Sequence, residues 1–136
     1  MIRFVRWSLF AFPFVVPAWV VAAPTAEQLA FFESRIRPVL VEACYECHST
    51  AKKEGGLVLD HRQGMLTGGD RGAVIVPGKP AESLLLKVIR HQEADLKMPR
   101  GGAKLTPAVV ADFERWIADG AADPRDKPPS VADIAH

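Results

Sequence analysis

Cys44-Tyr45-Glu46-Cys47-His48 places two thiols three positions apart, with an imidazole directly after the second. Thiols at that spacing can each reach one vinyl group of a haem and form a thioether. The residue that follows then lies under the iron with a ring nitrogen to offer, and C-x-x-C-H is the attachment signature of c-type haem. The chain has two cysteines, Cys44 and Cys47. One covalently bound haem consumes both, and no thiol remains for a disulfide. Two other chemistries compete for such a pair. A redox dithiol needs a thioredoxin-like βαβ setting, and the pattern around residue 44 is helical. A zinc module needs about four ligands, usually a second cysteine pair or two closely spaced histidines, whereas His61, His91 and His136 are scattered singly.

Outward from the motif, apolar spacing predicts three helices. The first runs from about Thr25 to Ile36, with Leu29, Phe32, Ile36 and Leu40 at intervals of three and four. Thr25 followed three residues later by Gln28 has the form of a capping box, and Pro38 is expected to break or kink the helix before Cys44. The second helix is expected from Ala81 to Arg90, with a stripe of Leu84, Leu85, Val88 and Ile89. In the third, Thr106 suits the N-cap, Pro107 the first turn and Gly120 the C-terminal cap, around an apolar face of Val109, Val110, Phe113, Trp116 and Ile117. The glycine-rich stretches Glu54–Gly56 and Gly64–Gly72 read as loops, as does Lys97–Ala103. Leu57-Val58-Leu59 reads as a short extended piece.

Residues 1–23 are of another kind. Arg3 and Arg6 precede an uncharged apolar run from Trp7 to Ala23 that ends in small residues, the form of a secretory signal peptide cut after Ala22 or Ala23. Pro13 and Pro17 interrupt the run, which is near the lower length limit for a membrane span. No later run is long enough to span a bilayer, so stable membrane insertion after cleavage is not expected. Without residues 1–23 the formal charge falls from +1 to −1. A balance so close to zero argues against nucleic acid as a partner, which would want a basic face. About 113 residues remain, enough for one modest core that an apolar cofactor would help to fill. The domain organisation expected is a signal peptide at 1–23, one domain at 25–122, and a polar, proline-containing tail or linker at 123–136.

His48 supplies one axial ligand, and the candidates for the other are Met65, Met98, His61 and His91. Met98 lies in Leu96-Lys97-Met98-Pro99-Arg100-Gly101-Gly102. Pro99 biases it away from helical geometry, and the glycines leave room for backbone to approach a flat ring. A methionine in so polar a stretch is poorly explained as core filler, the usual role of the residue, so Met98 is preferred. His91 reads as a helix C-terminal cap and His61 as a surface loop residue.

The ordered set Ile36-Arg37-Pro38-Val39-Leu40, Cys44-Tyr45-Glu46-Cys47-His48, Gly56-Leu57-Val58-Leu59-Asp60, Gly68-Gly69-Asp70, Ile75-Val76-Pro77-Gly78, Ser83-Leu84-Leu85, Lys97-Met98-Pro99 and Trp116-Ile117 resembles the planctomycete-type cytochrome c domain, a branch of the class I cytochromes c. The likeness spans about Phe31 to Pro124. It implies His48 and Met98 as axial ligands. It also agrees with the helical pattern on an all-α, cytochrome c-like fold in which the first and last helices cross around one covalently bound haem c, bringing Phe31 or Phe32 against Trp116. Similar proteins usually read Met-Pro-Pro where this chain has Met98-Pro99-Arg100, and their domain usually precedes large C-terminal domains. The chain is therefore expected to be a freestanding carrier or the front part of a larger protein.

With both axial positions filled, no site remains for a substrate. The expected function is that of an electron-transfer protein rather than an enzyme. It would be a periplasmic or otherwise exported monohaem cytochrome that passes single electrons to redox partner proteins. Methionine favours Fe(II) and raises the potential relative to two histidines. Arg62, Arg71, Lys79, Arg100 and Lys104 are candidates to neutralise haem propionates. The alternative from a different class is a haem-based sensor or ligand-binding module, which requires a displaceable sixth ligand.

Overall fold

The computed structural model describes residues 23–128. Residues 1–22 of the expected signal peptide and residues 129–136 of the expected tail lie outside the described residues. The described chain is helical, with no β-strand beyond an isolated bridge between Gly69 and Gly72. No helix among the described residues is long and apolar enough to cross a membrane.

The first helical stretch begins as expected. Thr25 Oγ1 accepts from Gln28 N at 3.2 Å and Gln28 Oε1 accepts from Thr25 N at 2.8 Å, closing the capping box over α1 (Ala26–Phe31). The helix does not end before Pro38. It widens into a π-helical turn over Phe32–Ile36 and continues as α2 (Arg37–Ala43), with Pro38 in its first turn. An α-helix over-rotates a four-residue spacing and a wider π turn under-rotates it. One of each in succession keeps Phe32, Ile36 and Leu40 in line, and all three are fully buried. The wide turn also sits where the pyrrolidine ring would otherwise strike the preceding turn, so proline and helix coexist.

Two further elements depart from expectation. Arg62–Thr67, expected as loop, is a helix, α3. A Cβ on its Gly64 would come within 2.7 Å of Val58 O, so this glycine allows the helix to lie directly on the extended Leu57-Val58-Leu59 segment and does not end it. The second expected helix is shorter at its start: α4 spans Leu84–Ile89, after a 3-10 turn at Pro80–Glu82. Ser83 breaks the two apart. Its buried hydroxyl donates to Lys79 O at 3.0 Å and accepts from Val76 N at 2.9 Å, a side-chain alternative to helical bonding. Leu86, outside the expected stripe, is buried as well.

The last helix, α5 (Pro107–Ala118), has Thr106 as N-cap. It ends where Gly120 takes a φ of +98°, with Gly120 N donating to Ile117 O and Ala121 N to Trp116 O, the paired bonds of a Schellman motif. Val110, Phe113, Trp116 and Ile117 are buried. Phe32, not Phe31, meets Trp116, with ring centroids 5.7 Å apart, while Phe31 lies under the Arg115 guanidinium at 4.5 Å. Burial of each side chain of this size contributes about 1.5–3 kcal/mol.

Beyond α5 the chain, expected to be loose from residue 123, is packed as far as Arg125. Trp116 Nε1 donates to Ala122 O at 2.8 Å. Arg125 Nε and Nη2 bond to both oxygens of Asp123 at 2.8 and 2.7 Å. The same guanidinium lies 4.8 Å from the Phe32 ring centroid and donates to Tyr45 Oη. Its own backbone carbonyl accepts from Arg62 N at the start of α3. Burial works against the charge of Arg125, but the Asp123 bonds and the neighbouring Tyr45 more than offset it and hold the guanidinium firmly protonated. A strap thus runs from the end of α5 to the second residue of the cysteine motif.

Candidate functional site

Cys44 caps α2, its N–H bonded to Leu40 O. From there the chain folds over itself in one tight turn: Cys47 N and His48 N both donate to Cys44 O, at 3.2 and 2.9 Å. This brings Cys44, Cys47 and His48 to the wall of one cavity of about 690 Å³, within the range of small-molecule and cofactor sites. Leu57, Leu59, Val74, Leu85, Val88 and Leu105 line much of the rest, and Met98 also lines it. The structure therefore brings together the four site residues expected from the sequence.

A backbone carbonyl orients the His48 ring. His48 Nδ1 lies 3.0 Å from Glu54 O. A carbonyl oxygen can only accept, so Nδ1 carries the proton and Nε2 keeps its lone pair free, the arrangement found where a histidine binds a metal. Leu59 N donates to His48 O at 2.8 Å. Two residues after His48, Thr50 N and Thr50 Oγ1 donate to the Asp60 carboxylate at 2.6 and 3.0 Å, and His61 Nδ1 pairs with it at 2.9 Å. Burial disfavours the Asp60 carboxylate, but the bonds from Thr50 and His61 outweigh it and hold its pKa below the ordinary value. The loop carrying His48 is thus pinned at residues 48 and 50.

The other candidate ligands have different surroundings. Met65 is buried in the core, with Sδ 3.9 Å from Arg125 Nη2. His61 is not a surface loop residue: its side chain is only 14% exposed and is engaged with Asp60. His91 does end α4, in the left-handed conformation at φ +59°, and its Nε2 lies 3.1 Å from Met98 O. Of the five candidate propionate partners, Arg71 and Arg100 line the cavity and Arg62, Lys79 and Lys104 do not. Lys79 pairs with Glu82 at 3.1 Å.

The competing chemistries fit less well. Burial, and after it the adjacent Cys47, pushes the Cys44 thiol up to about 11, whereas a reactive dithiol works through a lowered thiol pKa. Among the described residues no group of three or more His, Cys, Asp or Glu is placed to hold a metal ion, as a zinc module would require.

Residues 44–102 match the family model of planctomycete cytochrome C. The chain carries a planctomycete-type cytochrome c domain. The match begins at Cys44 and ends beyond Met98, so it spans the cysteine motif and the methionine loop, while α1, α2 and α5 lie outside it. No curated protein and no solved structure matched the chain. A cytochrome c domain implies covalently bound haem c, and Cys44 and Cys47 are the two cysteines available to hold it. The sequence assigned no role to Asp60, which stands only as the last residue of one landmark, or to the Asp123–Arg125 pair. Neither has a local signature, because Asp60 follows an apolar triplet and Arg125 lies in a stretch with the composition of a linker.

Proposed function

We propose that this is an exported monohaem cytochrome c that carries single electrons. Cys44 and Cys47 would hold the haem as thioethers, and His48 and Met98 would supply the ligands to its iron. The observation that carries the reading is that Cys44, Cys47, His48 and Met98 line one largely apolar cavity, with His48 Nδ1 held by a backbone carbonyl so that Nε2 is the nitrogen left to ligate. When bound, the haem supplies a one-electron change at iron. The chain would supply a largely apolar wall, two iron-binding side chains in His48 and Met98, and Arg71 and Arg100 to offset the propionates. The functional unit is residues 25–122 with the strap that follows to Arg125, behind a signal peptide at 1–23. Its partners are redox proteins.

Carbon monoxide separates a carrier from a sensor. Reduced protein at neutral pH is expected to take up and release one electron reversibly, with little rapid spectral change on addition of the gas, because entry must first displace Met98. Fast, tight binding by the unmodified protein would instead support the sensing alternative.

A further inference from the structure

We propose that His91 is a positioning residue for Met98, a role that rests on the reading of Met98 as the sixth ligand. Both backbone polar groups of Met98 are tied to the end of α4. Its N–H donates to Val88 O at 3.1 Å, and the same carbonyl accepts from His91 N. Its C=O lies 3.1 Å from His91 Nε2, and since a carbonyl only accepts, Nε2 is the donor. Val88 and Ile89, in the last turn of α4, are buried and line the cavity. The ring therefore fastens the methionine to the α4 wall of the cavity, while no such backbone tie among the described residues holds Gly101 and Gly102, which follow.

The backbone at residue 91 sharpens the point. His91 N bonds to Val88 O and Gln92 N to Lys87 O, a Schellman ending whose left-handed residue is most often glycine. For the turn alone glycine would be the less strained choice. A histidine held at φ +59° gives up that ease and gains a ring N–H on Met98 O.

Two variants of the haem-loaded protein test the proposal. His91→Gly keeps the left-handed turn and removes the donor. His91→Gln keeps an N–H at similar reach. With the bond lost, the state in which Met98 has left the iron becomes roughly two- to tenfold more populated, by the net worth of one hydrogen bond. His91→Gly is therefore expected to bind carbon monoxide faster by that factor. It should also show a weaker long-wavelength sulfur-to-iron charge-transfer band when oxidised, whereas His91→Gln stays close to the unmodified protein. Unchanged band and rate in His91→Gly overturn the proposal and leave Met98 ligation standing. Equal loss in both variants overturns it too, because the effect would then not depend on a side-chain donor at position 91. If the unmodified protein has no such band and binds the gas as fast as Met98→Ala, the ligand assignment itself fails, and the proposal with it.

Discussion

Met98→Ala is expected to open the iron, whereas Met65→Ala leaves it closed. Of the two side chains Met98 alone lines the cavity that Cys44, Cys47 and His48 share, and Met65 is buried against Arg125. If the open state of the unmodified protein is a minor one, populated at roughly 0.1–10%, removing the competing thioether should strengthen carbon monoxide binding by about ten- to a thousandfold. The oxidised variant should lose its sulfur-to-iron charge-transfer band, and its reduction potential should fall, because a neutral soft donor no longer favours the ferrous state. Met65→Ala should instead appear as a stability defect of about 2–5 kcal/mol from the core cavity it leaves. Loss of the band in Met65→Ala but not in Met98→Ala would reverse the assignment.

Arg125→Met is expected to destabilise the protein by about 3–5 kcal/mol, the typical result of breaking a buried ion pair from one side. Side-chain exposure is 11% for Arg125 and 1% for Asp123, so water cannot replace the lost partner. The Asp123 carboxylate would keep only the Arg125 backbone N–H, at 2.9 Å. Tyr45 Oη would lose its donor between the two cysteines. Methionine has the length and polarity to rest against Phe32 and Met65, so little of the loss is expected from packing. The double variant Arg125→Met with Asp123→Leu removes both charges and should recover most of the stability. Urea unfolding of the two single variants and the double measures this as a coupling energy. A single variant within experimental error of the unmodified protein would mean that the strap is not part of the folded unit.

How much of this could be read from the sequence depends on how local each signal is. The ends of α1 and α5 were legible because their caps are made by residues three or four apart: Thr25 with Gln28, Thr106 with Val109, and Gly120 just past the last turn. The cysteine motif was legible for the same reason. The continuous helix through Pro38 was not, since a π turn leaves no periodicity of its own in so short a stretch. Gly64 has the composition of a loop and the role of a contact, and only Val58, brought against it by the fold, distinguishes the two. Ser83 divides the expected second helix through a hydroxyl shared between Val76 and Lys79. Asp123 and Arg125 are charged residues beside prolines, and nothing nearby in sequence shows that Phe32, Tyr45 and Met65 surround them. The resemblance to the planctomycete-type domain named Met98, and the cavity places it with the motif. The engagement of His91 and His61 elsewhere became visible only in three dimensions.

The central claim is that this chain holds one haem by covalent bonds through Cys44 and Cys47. Protein produced with a cytochrome c maturation system, denatured and extracted with acidified organic solvent, tests it most directly. The expected result is that the haem colour stays with the polypeptide, whose mass exceeds that of the processed chain by one haem, and that replacing both cysteines by alanine releases it. Haem that extracts freely from the unmodified protein, or zinc bound in its place, would contradict the account.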